Sequence, residues 1–463
     1  MTSRRARIFY NHRQISRRKF LADAAKLAAG IVAADSLASC NHPRIASPAA
    51  GRIIGANDRI NLAVIGIRSR GAELARGFAK IPNVRVKSLV DVDENLFADR
   101  VKEIAEIQQF SPSAEYDLRR PLDDKDIDAA VFATPDHWHA IASIWACQTG
   151  KHVYVEKPCS HNIWEGRKML EAAAKYNRIV QAGFQNRSIP AVRDAIKFLH
   201  EGGLGEIYMA RGLCFKPRDS IGRYPDSPIP KGVHYDLWLG PAPQRTFNKN
   251  RFHYNWHWFW DYGCGEIGNQ GVHQLDIARW GLNKNEHPVR IKSTGGYFAF
   301  DSDQQTPNTQ IATFEYADGK IIQFEVRGLY SNAEGGINNK SKSVGNLFFG
   351  SKGWMSIDGS NWKTFFGRDN TPGPSGGTDA DSAAKPHLNN FITAIRSGKK
   401  EDLNCDIEAG HISTVLPHLA NISYRLGREI VFDDKNESFK NDKKADIMLR
   451  RIYRKPYIVP EQI

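Results

Sequence analysis

The stretch Ile60-Asn-Leu-Ala-Val-Ile-Gly-Ile-Arg-Ser-Arg-Gly71 decides the fold. Its apolar, β-branched first part is typical of a buried strand, the glycines bound a turn, and a helical pattern continues from Ala72 to Lys80. In this context the backbone N–H groups of the turn and the helix N-terminus can bind a phosphate group. Arg68 stands where GxGxxG patterns carry their middle glycine, and a guanidinium is itself a group that binds phosphate.

The alternation of strand and helix continues along the chain. Val84–Val90 predicts a second strand, and Asp128–Thr134 and His152–Val155 predict two more with a helix, His139–Gln148, between them. Strands that alternate with helices in this way form parallel, doubly wound sheets. The sequence therefore predicts a Rossmann-type α/β domain over residues 59–184.

Beyond about residue 185 the pattern changes to longer strands joined by hairpins. Thr309–Tyr316 and Lys320–Leu329 flank Asp318-Gly319, a strong signal for a hairpin turn. We therefore predict an α+β domain over residues 185–463 with a large, mainly antiparallel sheet. Its other predicted elements are strands at Gly345–Phe349 and Trp354–Ile357, helices at His387–Ser397 and Ile407–Arg425, and loops at 331–343 and 367–385.

Residues 1–39 have the features of a targeting segment rather than of a folded domain. Ser16-Arg-Arg-Lys-Phe-Leu21 opens a weakly apolar, Ala-rich stretch that ends at Leu37-Ala-Ser-Cys40. This resembles a twin-arginine export signal followed by a lipobox, and residues 40–58 are predicted to be a linker. We therefore expect an exported, periplasmic protein whose contact with the membrane is a lipid on Cys40.

Composition and charge exclude several classes of protein. Of the 463 residues, 41% are hydrophobic and 25% are charged, which is too apolar for a disordered chain. The net charge is +13, but residues 1–39 carry eight basic and two acidic residues, and the rest of the chain has no block of Lys and Arg, so no nucleic-acid partner is predicted. The cysteines form no CxxC pair, and His253 and His257 lack a nearby acidic residue, so neither a disulfide scaffold nor a metal site is predicted.

Two further motifs lie where neighbouring strands are predicted to end. Thr134-Pro-Asp-His-Trp-His139 follows one strand, and Glu156-Lys-Pro158 follows the next. In an open parallel sheet the ligand crevice lies at this edge. Asp91 ends the second strand 20 residues after Gly71. A carboxylate there accepts hydrogen bonds from an adenosine ribose and repels a 2′-phosphate, so NAD is favoured over NADP.

Together these motifs resemble the glucose–fructose oxidoreductase/inositol dehydrogenase (Gfo/Idh/MocA) family. The resemblance runs from about residue 59 to 432 and includes His387–Gly398 and Asn421–Gly427. It implies a nicotinamide cofactor faced by Lys157, and a homo-oligomer, commonly a dimer or tetramer. The residues predicted to bind the cofactor are Gly66, Ile67, Arg68, Ser69, Arg70, Gly71, Asp91, Thr134, Pro135, His137, His139, Glu156 and Lys157.

The stretch from residue 263 to 276 matches the glycine-rich catalytic segment of that family without a gap. The match implies that Lys157, Asn269 and His273 surround the carbinol of a substrate. A histidine that titrates near neutrality can accept the hydroxyl proton, and a lysine ammonium can hold the oxygen as negative charge grows there.

Asn269 departs from the family pattern, which has an Asp at this position. An amide can orient a substrate, but it cannot stabilise an imidazolium as a carboxylate would. Three explanations stay open: His273 works without that help, Glu266 or Asp276 supplies the charge, or the reaction differs from simple alcohol oxidation.

Residues 251–262 are dense in aromatic side chains. They predict either a wall that stacks on sugar rings, or a domain core or subunit interface. The residues predicted to contact the substrate are Gln185, Arg187, His253, Tyr254, His257, Trp258 and Asn269.

The resemblance and the N-terminal segment together imply an exported NAD(P)-dependent oxidoreductase. It would transfer a hydride between a carbinol of a sugar, sugar derivative or glycoside and a tightly held cofactor, because no reliable pool of free NAD exists beyond the cytoplasm. Two alternatives stay open, a glycosidase or lyase that oxidises a ring carbon transiently and a non-catalytic sugar-binding lipoprotein. One branch of the family uses transient oxidation, but its Tyr-containing His motif and its lack of Glu-Lys-Pro are unlike this chain.

Overall fold

The computed structural model describes residues 58–331, 334, 337, 343–378 and 385–463. The predicted signal segment, Cys40 and the predicted linker up to residue 57 lie outside the described residues. Within the described ranges, no helix combines the length and the apolar character needed to span a membrane.

The first lobe is built on a six-stranded sheet. Its strands are β1 (Ile60–Ile65), β2 (Val84–Val90), β3 (Ser113–Glu115), β4 (Ala129–Phe132), β5 (His152–Val155) and β6 (Val180–Ala182), and its helices are α1 (Ser69–Ala79), α2 (Phe97–Gln108), α3 (Arg119–Asp123), α4 (Asp136–Gln148) and α5 (Ile163–Lys175). The order is β3-β2-β1-β4-β5-β6, and all paired strands are parallel. This confirms the predicted doubly wound sheet.

The burial of β1 explains why its sequence is a continuous apolar run. Leu62 and Val64 belong to a core cluster shared with α1, whereas Ala63 and Ile65 belong to a cluster shared with α4 and α5. Both faces of a parallel sheet are covered by helices, so residues that point to either face must be apolar. The second strand and the strand at residues 152–155 have the predicted bounds, whereas α1 and α4 each begin three residues earlier than predicted.

The second lobe is built on a nine-stranded sheet in the order β14-β13-β12-β11-β7-β10-β9-β8-β15. One pair, β7 with β10, is parallel and the other neighbours are antiparallel, which confirms the predicted mainly antiparallel sheet. The strands are β7 (Ile207–Phe215), β8 (Arg290–Gly296), β9 (Thr309–Glu315), β10 (Ile321–Arg327), β11 (Ser343–Gly350), β12 (Gly353–Ile357), β13 (Asn361–Phe366), β14 (Thr371–Gly377) and β15 (Ile430–Val431), and the helices are α6 (Pro190–His200), α7 (Tyr235–Leu239), α8 (Gly265–Asn269), α9 (Gly271–Gly281), α10 (Lys385–Ser397), α11 (Ile407–Leu426) and α12 (Lys443–Asp446).

The predicted loop at 367–385 is wrong for its first part, because residues 371–377 form β14. This strand reads Thr-Pro-Gly-Pro-Ser-Gly-Gly and pairs with β13, which was not predicted either. β14 is the edge strand of its sheet, where proline and glycine are tolerated because one side of the strand has no partner to bond. It therefore carries none of the apolar alternation by which strands are recognised in a sequence.

Helices from the C-terminal part of the chain hold the two lobes together. Phe391 of α10 packs between Phe78 and Tyr154 in the core of the first lobe, with ring centroids 6.1 and 5.9 Å away. His418 of α11 donates from its ring to the carbonyl of Ser160, at a distance of 3.0 Å. The two lobes therefore share their cores.

Candidate active site

The glycine turn between β1 and α1 is so tight that there is no room for a side chain at Gly66 or Gly71. Gly66 has φ +81°, and a Cβ there would lie 2.6 Å from the carbonyl oxygen of Ala133. A Cβ on Gly71 would clash with the carbonyl oxygen of Gly66. The first N–H groups of α1, which starts at Ser69, have no acceptor within the helix and face the cavity beside the turn. The turn therefore fits the pyrophosphate of a dinucleotide.

Asp91 follows β2 and is held in place by backbone donors. The amides of Ile67 and Asp93 donate to its two oxygens at 2.9 and 3.0 Å. Burial raises the pKa of Asp91 to about 6, and these hydrogen bonds limit the rise. In dinucleotide-binding folds, a carboxylate beside the glycine turn accepts hydrogen bonds from the adenosine ribose.

The turns after β4 and β5 are fixed to each other by His139. Its two ring nitrogens lie 2.7 Å from the carbonyl oxygen of Pro158 and 2.9 Å from that of Thr134. Glu156 accepts a hydrogen bond from Arg70 of α1 at 2.8 Å. The three turns that end β1, β4 and β5 are thus tied into one wall.

Lys157 and two residues of the second lobe meet on the opposite side of the same cavity. The ammonium of Lys157 donates to the backbone carbonyl of Asn269 at 2.8 Å. His273 lies on α9 and is buried, and its Nδ1 has no hydrogen-bond partner among the described residues. Burial, reinforced by the charge of Lys157, lowers the pKa of His273 to about 3. His273 is therefore a neutral imidazole at neutral pH.

The structure gives a reason for Asn269. Its amide nitrogen lies 3.4 Å from the carboxylate of Glu266 and 3.4 Å from the hydroxyl of Tyr254. An Asp at this position would bring a second carboxylate against Glu266, with Arg218 as the neighbouring cation. Because its NH2 group faces these acceptors, the amide oxygen of Asn269 is available as an uncharged acceptor.

Neither of the carboxylates predicted as substitutes is hydrogen-bonded to His273 among the described residues, although the charge of Asp276 opposes the fall in the pKa of His273. Glu266 accepts two hydrogen bonds from Arg218, at 2.9 and 3.1 Å. Asp276 is bound bidentately by Arg187 and accepts a further hydrogen bond from Ser413. Both carboxylates are therefore neutralised by arginines.

These groups line one cavity of about 830 Å³ that runs from the glycine turn to α9. A cavity of this size is within the range of cofactor and substrate sites. The predicted residues that the structure brings to its wall are Gly66, Arg68, Ser69, Arg70, Gly71, Asp91, Thr134, Pro135, His139, Glu156, Lys157, Gln185, His253, Tyr254, His257, Asn269 and His273.

Four predicted residues are not on this wall. His137 lies on the far side of α4, where its Nε2 contacts the carbonyl of Trp238 at 2.9 Å. Ile67 is fully buried in the sheet core and contributes its backbone N–H to Asp91. Arg187 is locked to Asp276, and Trp258 belongs to the buried aromatic cluster beneath the cavity.

The aromatic stretch is divided between wall and core. His253 contacts Asp93 at 3.2 Å, and His257 stacks on Trp256 with ring centroids 3.6 Å apart. These two histidines therefore have separate partners. Phe252 and Trp256 line the cavity and were not predicted to do so.

Sequence reasoning also missed polar residues of the wall. Asp136 stands inside a motif that was recognised, yet it was left out of the predicted site. The stacking of Tyr116 on His234 and the position of Tyr457, from the C-terminal tail, had no sequence signal. The missed lining residues that carry polar groups are Glu73, Tyr116, Asp117, Arg119, Asp136, Lys216, Gln270 and Tyr457.

The fold and cavity define a dinucleotide-binding protein with a second lobe that closes the reactive end of the site. The chain belongs to the Gfo/Idh/MocA oxidoreductase family. Residues 60–184 match the family's NAD-binding Rossmann fold, and residues 220–343 and 352–459 match its C-terminal alpha/beta domain. The family description thus assigns NAD to the first lobe, and the glycine turn fits that assignment.

Relatives and solved structures show what the chain is similar to. Levoglucosan dehydrogenase of Pseudarthrobacter phenanthrenivorans is 38% identical over 164 residues, which is 35% of this chain and 35% of that protein. A glycosyl hydrolase family 109 protein of Shewanella sp. strain ANA-3 is 26% identical over 171 residues, or 35% of this chain and 37% of that protein. The chain thus matches about a third of the length of these relatives. A structure of levoglucosan dehydrogenase in complex with NADH and levoglucosan has a TM-score of 0.62 and is 18% identical in sequence. The match covers 81% of this chain and 99% of that one, and it shows a shared fold.

Proposed function

We propose that this protein is an exported, NAD-dependent oxidoreductase that acts on a carbinol of a sugar, a sugar derivative or a glycoside. The observation that carries the proposal is the meeting of Lys157, Asn269 and His273 at one end of a cavity whose other end is the glycine turn and Asp91. The printed names of relatives and structural neighbours, among them levoglucosan dehydrogenase, support a sugar as the substrate.

The residues of the reactive end divide the work between them. A bound nicotinamide supplies the acceptor for the hydride that leaves the carbinol carbon. Lys157 holds the substrate oxygen as negative charge grows there, and its own position is fixed by the carbonyl of Asn269. His273, a neutral imidazole, accepts the hydrogen bond of the substrate hydroxyl and passes its proton on. The amide oxygen of Asn269 orients a neighbouring hydroxyl.

Export and cofactor retention form one part of the proposal. The twin-arginine pattern at residues 16–21 supports export of a folded, loaded protein, and the Leu-Ala-Ser-Cys sequence supports a lipid on Cys40. A nucleotide that left the site beyond the cytoplasm would be diluted away. The bound nucleotide must therefore be reset by a second substrate or by returning the hydride to an intermediate of the same turnover.

Product analysis with the purified protein tests the proposal. The expected result is a ketone from a sugar or glycoside, formed together with reduced nucleotide. Mass spectrometry of the denatured supernatant would identify any nucleotide that co-purifies. Binding of sugars without any turnover would overturn the proposal and favour a non-catalytic sugar-binding lipoprotein.

A second candidate is a glycosidase or lyase that oxidises a ring carbon transiently and reduces it again. The specific support is the similarity to glycosyl hydrolase family 109 proteins at 26% identity over 171 residues. This chemistry uses the same Lys157 and His273, but it leaves no net redox change. Release of a free sugar or aglycone without accumulated ketone would favour this candidate.

A further inference from the structure

Asp136 is a buried carboxyl on the wall of the cavity, and the proposed function gives it no role. It is the first residue of α4, at the carboxyl end of β4, and is 2% exposed. Its Oδ2 accepts a weak hydrogen bond from the thiol of Cys264 at 3.5 Å, and its Oδ1 has no partner among the described residues. An ionised carboxyl in this position is poorly solvated, so burial favours the neutral acid.

The charges around Asp136 make its ionisation sensitive to what the cavity holds. Burial raises its pKa well above the usual range, and Lys157 acts against that rise. One further positive charge in the cavity would shift the balance toward the carboxylate. The titratable and charged groups that act on it are Lys157, Cys159, Glu165 and Cys264.

The other acidic side chains of the wall are already engaged. Among the described residues that line the cavity, Glu73 and Glu156 are paired with Arg70, and Asp117 is paired with Arg119. Asp91 accepts from the backbone near the glycine turn. Among the described residues, Asp91 and Asp136 are thus the wall carboxyls without a bonded cation, and of the two it is Asp136 on which the charge of Lys157 acts.

Burial disfavours a positive charge on His273, so its imidazole holds the substrate proton poorly. Burial and the charge of Lys157 lower its pKa to about 3, whereas the pKa of Asp136 is raised above its ordinary value. Because both side chains are buried and burial disfavours charge on each, a proton passed from the imidazolium of His273 to the carboxylate of Asp136 would leave two neutral groups.

We propose that Asp136 is the proton acceptor of the site, an inference that rests on the proposed function. The C–H bond of the carbinol breaks and its hydride goes to the nicotinamide; the O–H bond breaks and its proton goes, by way of His273 or Lys157, to the carboxylate of Asp136. The oxidised ring carries one positive charge and the reduced ring none. The site therefore exchanges an ion pair for two neutral groups, and the net charge of the cavity does not change.

The proposal is tested by following the proton rather than the turnover. Infrared difference spectra between the oxidised and the dithionite-reduced nucleotide complex should show a carboxylic acid C=O band that appears on reduction. After the co-purified nucleotide has been removed, binding of NAD+ in a weakly buffered solution should release up to about one proton per site more than binding of NADH. Both signals should vanish in Asp136→Asn, and kcat should fall by about 10²-fold or more.

A matched control separates this role from a general effect of acidic residues. Glu73→Gln also changes a carboxyl that lines the cavity, but Glu73 is exposed and paired with Arg70, so both signals should remain. Asp136→Asn keeps a polar group at the start of α4 and should bind both nucleotides. If it retains the band and the extra proton, the proposal is overturned and Asp136 is a helix-terminal acid. If wild type binds neither nucleotide, the proposed function fails, and this inference fails with it.

Discussion

Lys157 and His273 come from different lobes and face the same end of the cavity. We predict that Lys157→Ala and His273→Ala each lower turnover by about 10²–10⁴-fold, the usual loss for one acid–base group, while nucleotide binding is largely retained. His200→Ala, an exposed histidine outside the cavity, is the control. Rates on the true substrate and nucleotide titrations check both parts. Near wild-type turnover in either variant would remove that residue from the proposed chemistry.

Asp91 acts at the opposite end of the site, and its effect depends on pH. The raised pKa of about 6 means that the carboxylate is present above that pH and lost below it. We therefore predict that NAD affinity falls as the pH drops through about 6, and that NAD is preferred over NADP above it. Asp91→Ala should weaken NAD binding by about ten- to a hundredfold, as expected for a hydrogen bond to a charged group, and should lose both dependences. Calorimetric titration with both nucleotides, after removal of the co-purified nucleotide, checks this, and equal or tighter NADP binding by wild type would contradict it.

The sequence predicts which residues lie near the site, but it does not predict which of their side chains face the cavity. The predicted ends of β1, β2, β4 and β5 place four motifs on one edge because parallel strands share an edge. On α4, however, a helical step of about 100° separates neighbours. Asp136 and His139 therefore face the cavity, while His137 turns into the aromatic cluster. The pairing of Arg187 with Asp276 joins residues that are 89 positions apart in the chain, which no local pattern records.

At the scale of elements, the sequence does not predict the strands β13 and β14 or the surface against which α10 packs. Apolar periodicity located the buried strands, whereas β14 forms because its backbone pairs with β13 at a sheet edge. The position of α10 in the core of the first lobe depends on contacts over more than 200 residues of chain, between Phe391 and Tyr154. Sequence patterns report burial, but they do not report which surface an element is buried against.

A cluster of His287, His411 and Glu437 joins elements that are distant in the chain. The Nε2–H groups of the two histidines each donate to one carboxylate oxygen of Glu437 at 2.8 Å, and Arg167 of α5 donates to both oxygens. Their ligand atoms lie within 4.8 Å of one another, but the arginine already occupies the carboxylate. The hydrogen bonds of this cluster therefore link the turn after β15 to α5 and α11.

This cluster should make the free energy of unfolding depend on pH in a defined direction. Burial would raise the pKa of Glu437, but the hydrogen bonds from His287, His411 and Arg167 outweigh it and hold the pKa well below the usual range. The stabilisation is therefore present above the unfolded value of about 4.3 and is lost as the pH falls below it. Glu437→Gln should lower the free energy of unfolding at neutral pH by about 2 kcal/mol. Denaturant unfolding checks this, and Glu461→Gln, which breaks the exposed pair with Arg450, should change it by about 0.5 kcal/mol or less. Equal losses of unfolding free energy in the two variants would contradict a stabilising role of the Glu437 cluster.

For the whole molecule, the proposed site lies between two lobes that share their cores. The C-terminal tail strengthens this connection, because Arg451 donates to Glu165 of α5 at 2.9 Å and to the carbonyl of His137 at 2.7 Å. Tyr457 of the same tail lines the cavity and packs edge-on against Trp138 with ring centroids 5.3 Å apart. A cofactor bound in this cavity is therefore enclosed by groups from both ends of the described chain, which fits the proposed long residence.

That residence depends on the phosphate end of the cavity, where Arg68 replaces the usual middle glycine. Arg68 is exposed, lines the cavity, and has no carboxylate partner in the described ranges, in contrast to the paired Arg70. A guanidinium can form bidentate, charge-assisted hydrogen bonds with a pyrophosphate, and an ammonium acts only as a point charge. We predict that wild type purified without added nucleotide releases NAD on denaturation, Arg68→Lys releases less, and Arg68→Gly least. Quantifying the released nucleotide per protein checks this order. Empty wild-type protein that turns over only with free NAD would contradict cofactor retention, while equal retention by all three proteins would contradict only the role of Arg68.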